Sequence, residues 1–365
     1  MSVDAADSDA LLVYLYQLIK GVEGVSFEGI SRLVSDEVPV RDRKLLEDVL
    51  LSLRDSRISY TLDLESRRIL AFSEFSCAAI SIMTDGCGRL RRLHVIPEYG
   101  ISRSARAVAE ELSKADLSYQ LIFIEGDQCL FYKNVETVAV SSLSKLYLCE
   151  IVYRAIEEKL LTWDTEISIR NDDIRVRSAG LSQKNVGSVI TVRSLLIYAL
   201  IASDNSAADL LLGTLRNLGA SSSDIENMLV NAKTTIETYG AEVDDPTKEF
   251  TSVVWNRGKD CFFSLKRLAM SMQYLCETSW TPWDELRQSP VVYAYKGGQA
   301  PGVLSGMWAS RATDRGGGSP FVLVGYAVNY RKPFTYIDEV WIVSLVSGLF
   351  TSRFNLKSGE CGVSI

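Results

Sequence analysis

Ser142 and Lys145 lie three residues apart where the apolar run Val138-Ala139-Val140 enters the stretch Ser141-Ser142-Leu143-Ser144-Lys145. On a helix that spacing puts hydroxyl and amine on one face, close enough for the amine to take the hydroxyl proton. Ser142 is then a nucleophile and Lys145 its general base. In a first helical turn Ser142 would also sit among free backbone N–H groups and the positive end of the helix dipole, which eases deprotonation of the amine. Serines in this position serve equally well as a helix cap, and Ser-x-x-Lys alone leaves both readings open.

A second cluster, Ser203-Asp204-Asn205, falls between two helical patterns. It offers a hydroxyl for proton relay and an amide that can hydrogen-bond a substrate carbonyl, but Ser, Asp and Asn are also common capping residues. The single histidine, His94, belongs to the strand-like segment Arg91-Arg92-Leu93-His94-Val95-Ile96, far from either cluster. That argues against a Ser-His-Asp triad and against a histidine metal site. Seven cysteines, at positions 77, 87, 129, 149, 261, 276 and 361, show no Cys-x-x-Cys pairing and read as reduced thiols. Gly316-Gly317-Gly318 lacks the Lys-Ser/Thr of a phosphate loop and reads as a flexible turn between strands. No metal and no cofactor are expected.

With 365 residues, 47% of them hydrophobic, the chain can bury a full core and form two domains. A formal charge of −7 argues against nucleic acid or an anionic membrane as partner. No apolar run reaches the roughly 18 residues of a membrane span, and the acidic start lacks the positive region of a secretory signal. A cytoplasmic location is the expectation.

These clusters need elements to hold them. Residues 1–100 read as a small α+β domain, with helices over 11–21, 25–34 and 40–50, strands over 58–64, 67–74, 77–83 and 89–96, and a hairpin turn at Asp85-Gly86. The boundary is Pro97-Glu98-Tyr99-Gly100. Residues 101–365 form the larger unit. A helix over 104–114 and strands over 119–124 and 128–132 lead to a helix from Ser142 through Lys159. A long, mostly irregular crossing runs to Gly187, and Thr191 caps a helix over 192–202. Helices over 222–230 and 261–275 precede Lys296, strands over 306–312 and 321–329 follow it, and an amphipathic helix spans 335–350.

Ser142-Leu143-Ser144-Lys145, Ser203-Asp204-Asn205 and Lys296-Gly297-Gly298 stand in the order and approximate spacing of Ser-x-x-Lys, Ser-Asp-Asn and Lys-Thr-Gly in the penicillin-recognising serine enzymes. Residues 101–365 resemble that superfamily, and Ser203 to Leu212 resembles class A β-lactamase text. The resemblance implies an α/β fold: an antiparallel sheet from the early hairpin and the last strands, flanked by helices, with an all-helical subdomain. The terminal helix would pack on that sheet beside the first helix. Carried over, Ser142 is acylated, Lys145 is its base, Ser203 shuttles a proton, Asn205 contacts substrate and Lys296 is an electrostatic anchor. Backbone N–H groups of Ser142 and Gln299 would form an oxyanion hole, with Gly297 and Gly298 lining the substrate strand.

Two departures matter. Gly297 replaces the threonine whose hydroxyl helps hold a substrate carboxylate. No Glu-x-x-Leu-Asn loop appears between Asn205 and Lys296, where only Glu237, Glu242 and Glu249 stand near the place of the deacylating glutamate. The phrases Leu161-Thr162-Trp163-Asp164, Gly180-Leu181-Ser182-Gln183, 191–195 and Thr247-Lys248-Glu249-Phe250 are similar to the two-domain β-lactamase-like hydrolases of antibiotic gene clusters, such as that of clavulanic acid. In that group the first domain resembles a steroid-isomerase-like cone. The expected function is a serine hydrolase or acyltransferase acting on a small-molecule ester, amide or thioester. The alternatives are a β-lactamase or penicillin-binding protein, and a non-catalytic binding protein on the same scaffold. Tyr295, Trp308 and Arg311 lie near the expected site, as specificity or core residues.

Overall fold

The structure is a computed structural model describing residues 3–21, 34–85, 87–97, 104–175, 178–218, 262–286, 293–310 and 320–353. It divides into two compact units, Met1–Ser104 with Phe334–Ile365, and Ala105–Pro333.

The first unit contains α1 (Val3–Ile19), α2 (Val40–Leu53) and an antiparallel sheet in the order β1 (Ser59–Asp63), β2 (Arg68–Phe72), β3 (Cys77–Thr84), β4 (Leu90–Pro97). Alternation along the strands sends Ile69, Ala71, Ala78, Ile80, Leu93 and Val95 to one face, where they share a core with Leu12, Leu15 and Leu18 of α1 and Leu46, Leu50 and Leu53 of α2. Asp85, at the expected turn, accepts from the backbone N–H groups of Cys87 and Arg89 at 2.9 Å. The expected helix over 25–34 lies outside the described residues except for Val34, which bridges to Leu90.

The second unit runs α3 (Ala105–Lys114), β5 (Ser118–Glu125), β6 (Gln128–Lys133), β7 (Val138–Ala139), a 3-10 turn (Ser141–Ser144) and α4 (Lys145–Glu157). Then come β8 (Glu166–Ser168), β9 (Val189–Thr191), α5 (Val192–Leu200), α6 (Asn205–Asn217), β10 (Phe262–Phe263), α7 (Leu265–Glu277), β11 (Tyr293–Ala300), β12 (Val303–Ser310) and β13 (Val322–Asn329). Its main sheet is antiparallel in the order β11-β12-β13-β5-β6. Helix α3 packs on β5 and β6, α7 packs on β5, β12 and β13, and α5, α6 and α7 gather around α4. This is the α/β class expected, an antiparallel sheet flanked by helices.

Pairing register sorts the sheet's side chains. Ala294, Lys296, Gly298, Ser305, Met307 and Ile122 share one face, and Tyr295, Gly297, Gln299, Gly306, Trp308 and Tyr326 share the other. The helices around α4 build their core against the first face.

Two expectations need correction. The strand expected over 306–312 begins at Val303 and pairs with β11, which carries the whole Lys296 motif. The turn between them is Pro301-Gly302, where Gly302 has φ +69° and a Cβ would stand 2.4 Å from the carbonyl oxygen of Tyr330, so only glycine fits. The crossing over 161–187 is mostly irregular among its described residues, as expected, and is pinned by the β8–β9 pairing and two 3-10 turns.

The second concerns the terminal helix. α8 (Tyr336–Thr351) is buried nearly all round rather than amphipathic, and it groups with the first unit, packing on β3, β4 and α2. Asp338 ties it there. It forms a capping box with Thr335 and accepts from the hydroxyls of Ser73 and Ser76. Among the described residues no helix is long and apolar enough to cross a membrane.

Candidate active site

The approach to Ser142 is held by polar side chains inside the sheet. Asn329 takes the part of a strand partner for Ala139, accepting its N–H at 2.8 Å and donating to its carbonyl at 2.9 Å. Ser305 donates to the carbonyl of Val140 at 2.7 Å. Fixed on both sides, the chain turns through Ser141 at φ +48°, a left-handed conformation that costs a non-glycine residue about 1 kcal/mol. The Ser141 hydroxyl donates to the carbonyl of Gln299 at 3.1 Å, fastening the turn to β11.

Ser142 to Ser144 then form a 3-10 turn, in which side chains three apart eclipse one another. Lys145 therefore lies directly behind Ser142, with its Nζ 3.3 Å from the Ser142 Oγ. No serine side chain caps α4, so the capping alternative for this stretch is not what the structure contains. Lys145 is buried, and its amine also reaches the carbonyl of Ser203, the Ser203 Oγ at 3.4 Å and Asn205 Oδ1 at 2.8 Å.

For Ser203-Asp204-Asn205 both readings apply at once. Asp204 accepts from the N–H of Ala207 at 2.9 Å, a cap on α6, and its other oxygen accepts from Gly180 and Leu181 at 2.7 and 2.8 Å. This fully buried carboxylate ties the loop to a segment some two dozen residues earlier. Ser203 is thereby held at φ +54° with its hydroxyl turned to the two lysines, and Asn205 opens α6 with its amide oxygen on Lys145.

β11 completes the arrangement as an edge strand. Its two-residue hairpin makes Ala300 and Val303 the closing pair, so residues 295, 297 and 299 turn their backbone groups away from β12. Their carbonyls are met from outside the sheet by Trp283 Nε1 at 2.9 Å, by Lys296 Nζ at 2.7 Å and by the Ser141 hydroxyl. The N–H of Gln299 faces the same open edge, beside the Ser142 turn. Gly298 permits the approach, because a Cβ there would stand 2.4 Å from the Val140 carbonyl oxygen and 2.7 Å from the Leu143 nitrogen.

Lys296 is 2% exposed and donates to the Ser203 Oγ at 2.7 Å. Burial, reinforced by the nearby Lys145 charge, holds its amine well below the usual lysine range. Two like charges meeting at one hydroxyl make it easier for the pair to release a proton. Burial also pushes the Cys149 thiol up to about 12, so it stays protonated on the inner side of α4.

The structure thus brings Ser142, Lys145, Ser203, Asn205 and Lys296 into one hydrogen-bonded cluster and lines Gly297, Gly298 and Gln299 along the adjoining edge. Arg311, Glu237, Glu242 and Glu249 lie outside the described residues. The positioning side chains Ser141, Ser305 and Asn329 are not legible from spacing, since the last two act on residues 165 and 190 positions away.

Residues 103–275 match a family model described as "Beta-lactamase enzyme family", just under half of the chain. That span contains Ser142, Lys145, Ser203 and Asn205 and ends before Lys296. Among solved structures, PBP-A is similar at 15% identity, covering 70% of this chain and 98% of its own, with a TM-score of 0.49. An ancestral class A β-lactamase is similar at 17% identity over 68% of this chain and 99% of its own, with a TM-score of 0.45. No curated protein matches.

Proposed function

We propose that the protein is a serine hydrolase or acyltransferase that works through an acyl-enzyme on Ser142. The observation that carries this is the amine of Lys145, buried, 3.3 Å from the Ser142 Oγ and facing a second buried lysine across the Ser203 hydroxyl. Neutral Lys145 takes the Ser142 proton as Oγ bonds to the substrate carbonyl carbon. The carbonyl oxygen gains the negative charge and is met by the N–H groups of Ser142 and Gln299. As the bond to the leaving group breaks, that group takes the Ser203 hydroxyl proton, and Ser203 regains one from Lys145. Water or another nucleophile then removes the acyl group, with the same residues acting in reverse.

The substrate is an ester, amide or thioester of a small molecule. The short phrases shared with hydrolases of antibiotic gene clusters support a natural-product substrate. Intact-protein mass spectrometry after treatment with a fluorophosphonate tests the reading. It predicts one adduct, mapped to Ser142 and lost in Ser142→Ala. An adduct that persists in that variant, or none in the parent, overturns it. A stable penicillin adduct, or rapid nitrocefin turnover, would move the assignment to a penicillin-binding protein or β-lactamase.

A further inference from the structure

On the sheet face opposite Lys296, β11 and β12 place two glycines side by side, Gly297 paired with Gly306. Neither position is empty. A Cβ on Gly297 would stand 2.5 Å from the hydroxyl of Tyr295, and one on Gly306 would stand 2.6 Å from the Tyr326 ring. Tyr295 therefore leans along its own strand, so that its hydroxyl occupies the space a side chain at 297 would take. Trp308 holds it in that pose, with ring centroids 5.1 Å from Tyr295 and 5.8 Å from Tyr326. Tyr295 is 40% exposed, at the open edge of the stack, so a ligand can reach it.

The backbone of residue 297 thus lies between a phenol on one face of β11 and the Lys296 amine, which bonds the Gly297 carbonyl, on the other. Gln299, whose N–H faces the scissile carbonyl in the proposed reaction, is two residues away, or about 7 Å along a strand. A group beside Gly297 is therefore a few bonds from the scissile carbonyl. It lies on the leaving-group side, because Ser203, the proton donor, is hydrogen-bonded to Lys296.

Resting on that acyl-enzyme reading, we infer that Tyr295 is a specificity-determining residue whose hydroxyl donates to a neutral acceptor, such as an amide or ester carbonyl, in the leaving group. The surroundings favour a neutral group over a carboxylate. Among the described residues, Trp308, Tyr326 and Trp283 around Tyr295 are uncharged, and Lys296 already donates to Ser203 and Gly297. A phenol, with an ordinary pKa of about 10, is a hydrogen-bond donor at every physiological pH.

The test compares two thioesters of N-benzoylglycine, one with thioglycolamide and one with thioglycolate as leaving group. The parent is expected to favour the amide in kcat/KM, and Tyr295→Phe, which keeps the ring stack, to lower that amide-to-acid ratio about tenfold through KM. An unchanged ratio in Tyr295→Phe, or a parental preference for the acid, overturns the inference while leaving the acyl-enzyme reading intact. Failure of both thioesters and of a fluorophosphonate to label Ser142 overturns the reading beneath it, and the inference with it.

Discussion

Replacing Asp204 by alanine separates the scaffold of the site from its chemistry. The carboxylate touches no reacting atom, yet it accepts three backbone N–H groups between 2.7 and 2.9 Å and has no exposed surface. Hydrogen bonds to a charged acceptor are worth about 1.5–3 kcal/mol each, so leaving all three donors buried and unmet should cost about 5 kcal/mol. Asp204→Asn can still serve Gly180 and Leu181 through its oxygen, but it turns an NH2 group toward the Ala207 N–H, and should cost about 2 kcal/mol. For a unit of this size the alanine variant should melt roughly 10 °C below the parent, with the asparagine variant between them. Thermal unfolding followed by fluorescence measures this, and fluorophosphonate labelling well below the variant's midpoint reports whether Ser203 and Asn205 have moved. A shift under about 3 °C for Asp204→Ala would refute the reasoning, since it would mean that those donors find water as readily as they find the carboxylate.

Lys296→Met should stabilise the protein relative to the parent near neutral pH while removing activity, because a buried amine pays desolvation whenever it is protonated. The folded chain binds this proton less tightly than the unfolded chain does, so parental stability should rise with pH from the depressed value up to the ordinary lysine value of about 10.5. Urea midpoints of the two proteins should therefore converge between about pH 7 and about pH 10, and parallel curves would exclude a depressed Lys296. Gly298→Ala forces a Cβ onto two backbone atoms of the nucleophile turn and should cost about 3 kcal/mol together with most of the labelling rate. Gly297→Ala meets only the far end of the Tyr295 side chain and should cost less than about 1 kcal/mol; equal losses in the two variants, read by urea unfolding, would contradict the packing described.

What the sequence discloses of the site follows from how local each contact is. Ser142 and Lys145 are visible because the turn between them makes spacing equivalent to proximity. Lys296 is not visible in that way, since Lys-Gly-Gly in β11 runs against strand propensity and nothing local marks it as an edge. Its place beside Ser203 was legible only through resemblance. Asn329 and Ser305 look like polar interruptions in apolar strands, and their purpose appears only when β13 and β12 lie beside β7 and the nucleophile turn. The Pro301-Gly302 hairpin was within reach, because proline followed by glycine at positive φ is a recognised turn signature. The last helix defeats a periodicity reading for a physical reason. A segment apolar on every side has no periodic face to point toward its partner.

That helix also sets an order of events. Ile337 and Val340 share a core with Leu12, Leu15 and Leu18, while Ala105–Pro333 forms a unit of consecutive residues. At about 5–20 residues per second, a ribosome needs tens of seconds to make the stretch separating the first sheet from its last helix. Through that interval Ser73 and Ser76 wait for Asp338, and the sheet lacks part of its apolar cover. The larger unit, by contrast, has all its described strands in hand before α8 is made. The part of the chain translated first is therefore the part completed last, its core closed only when Ile337 and Val340 are added.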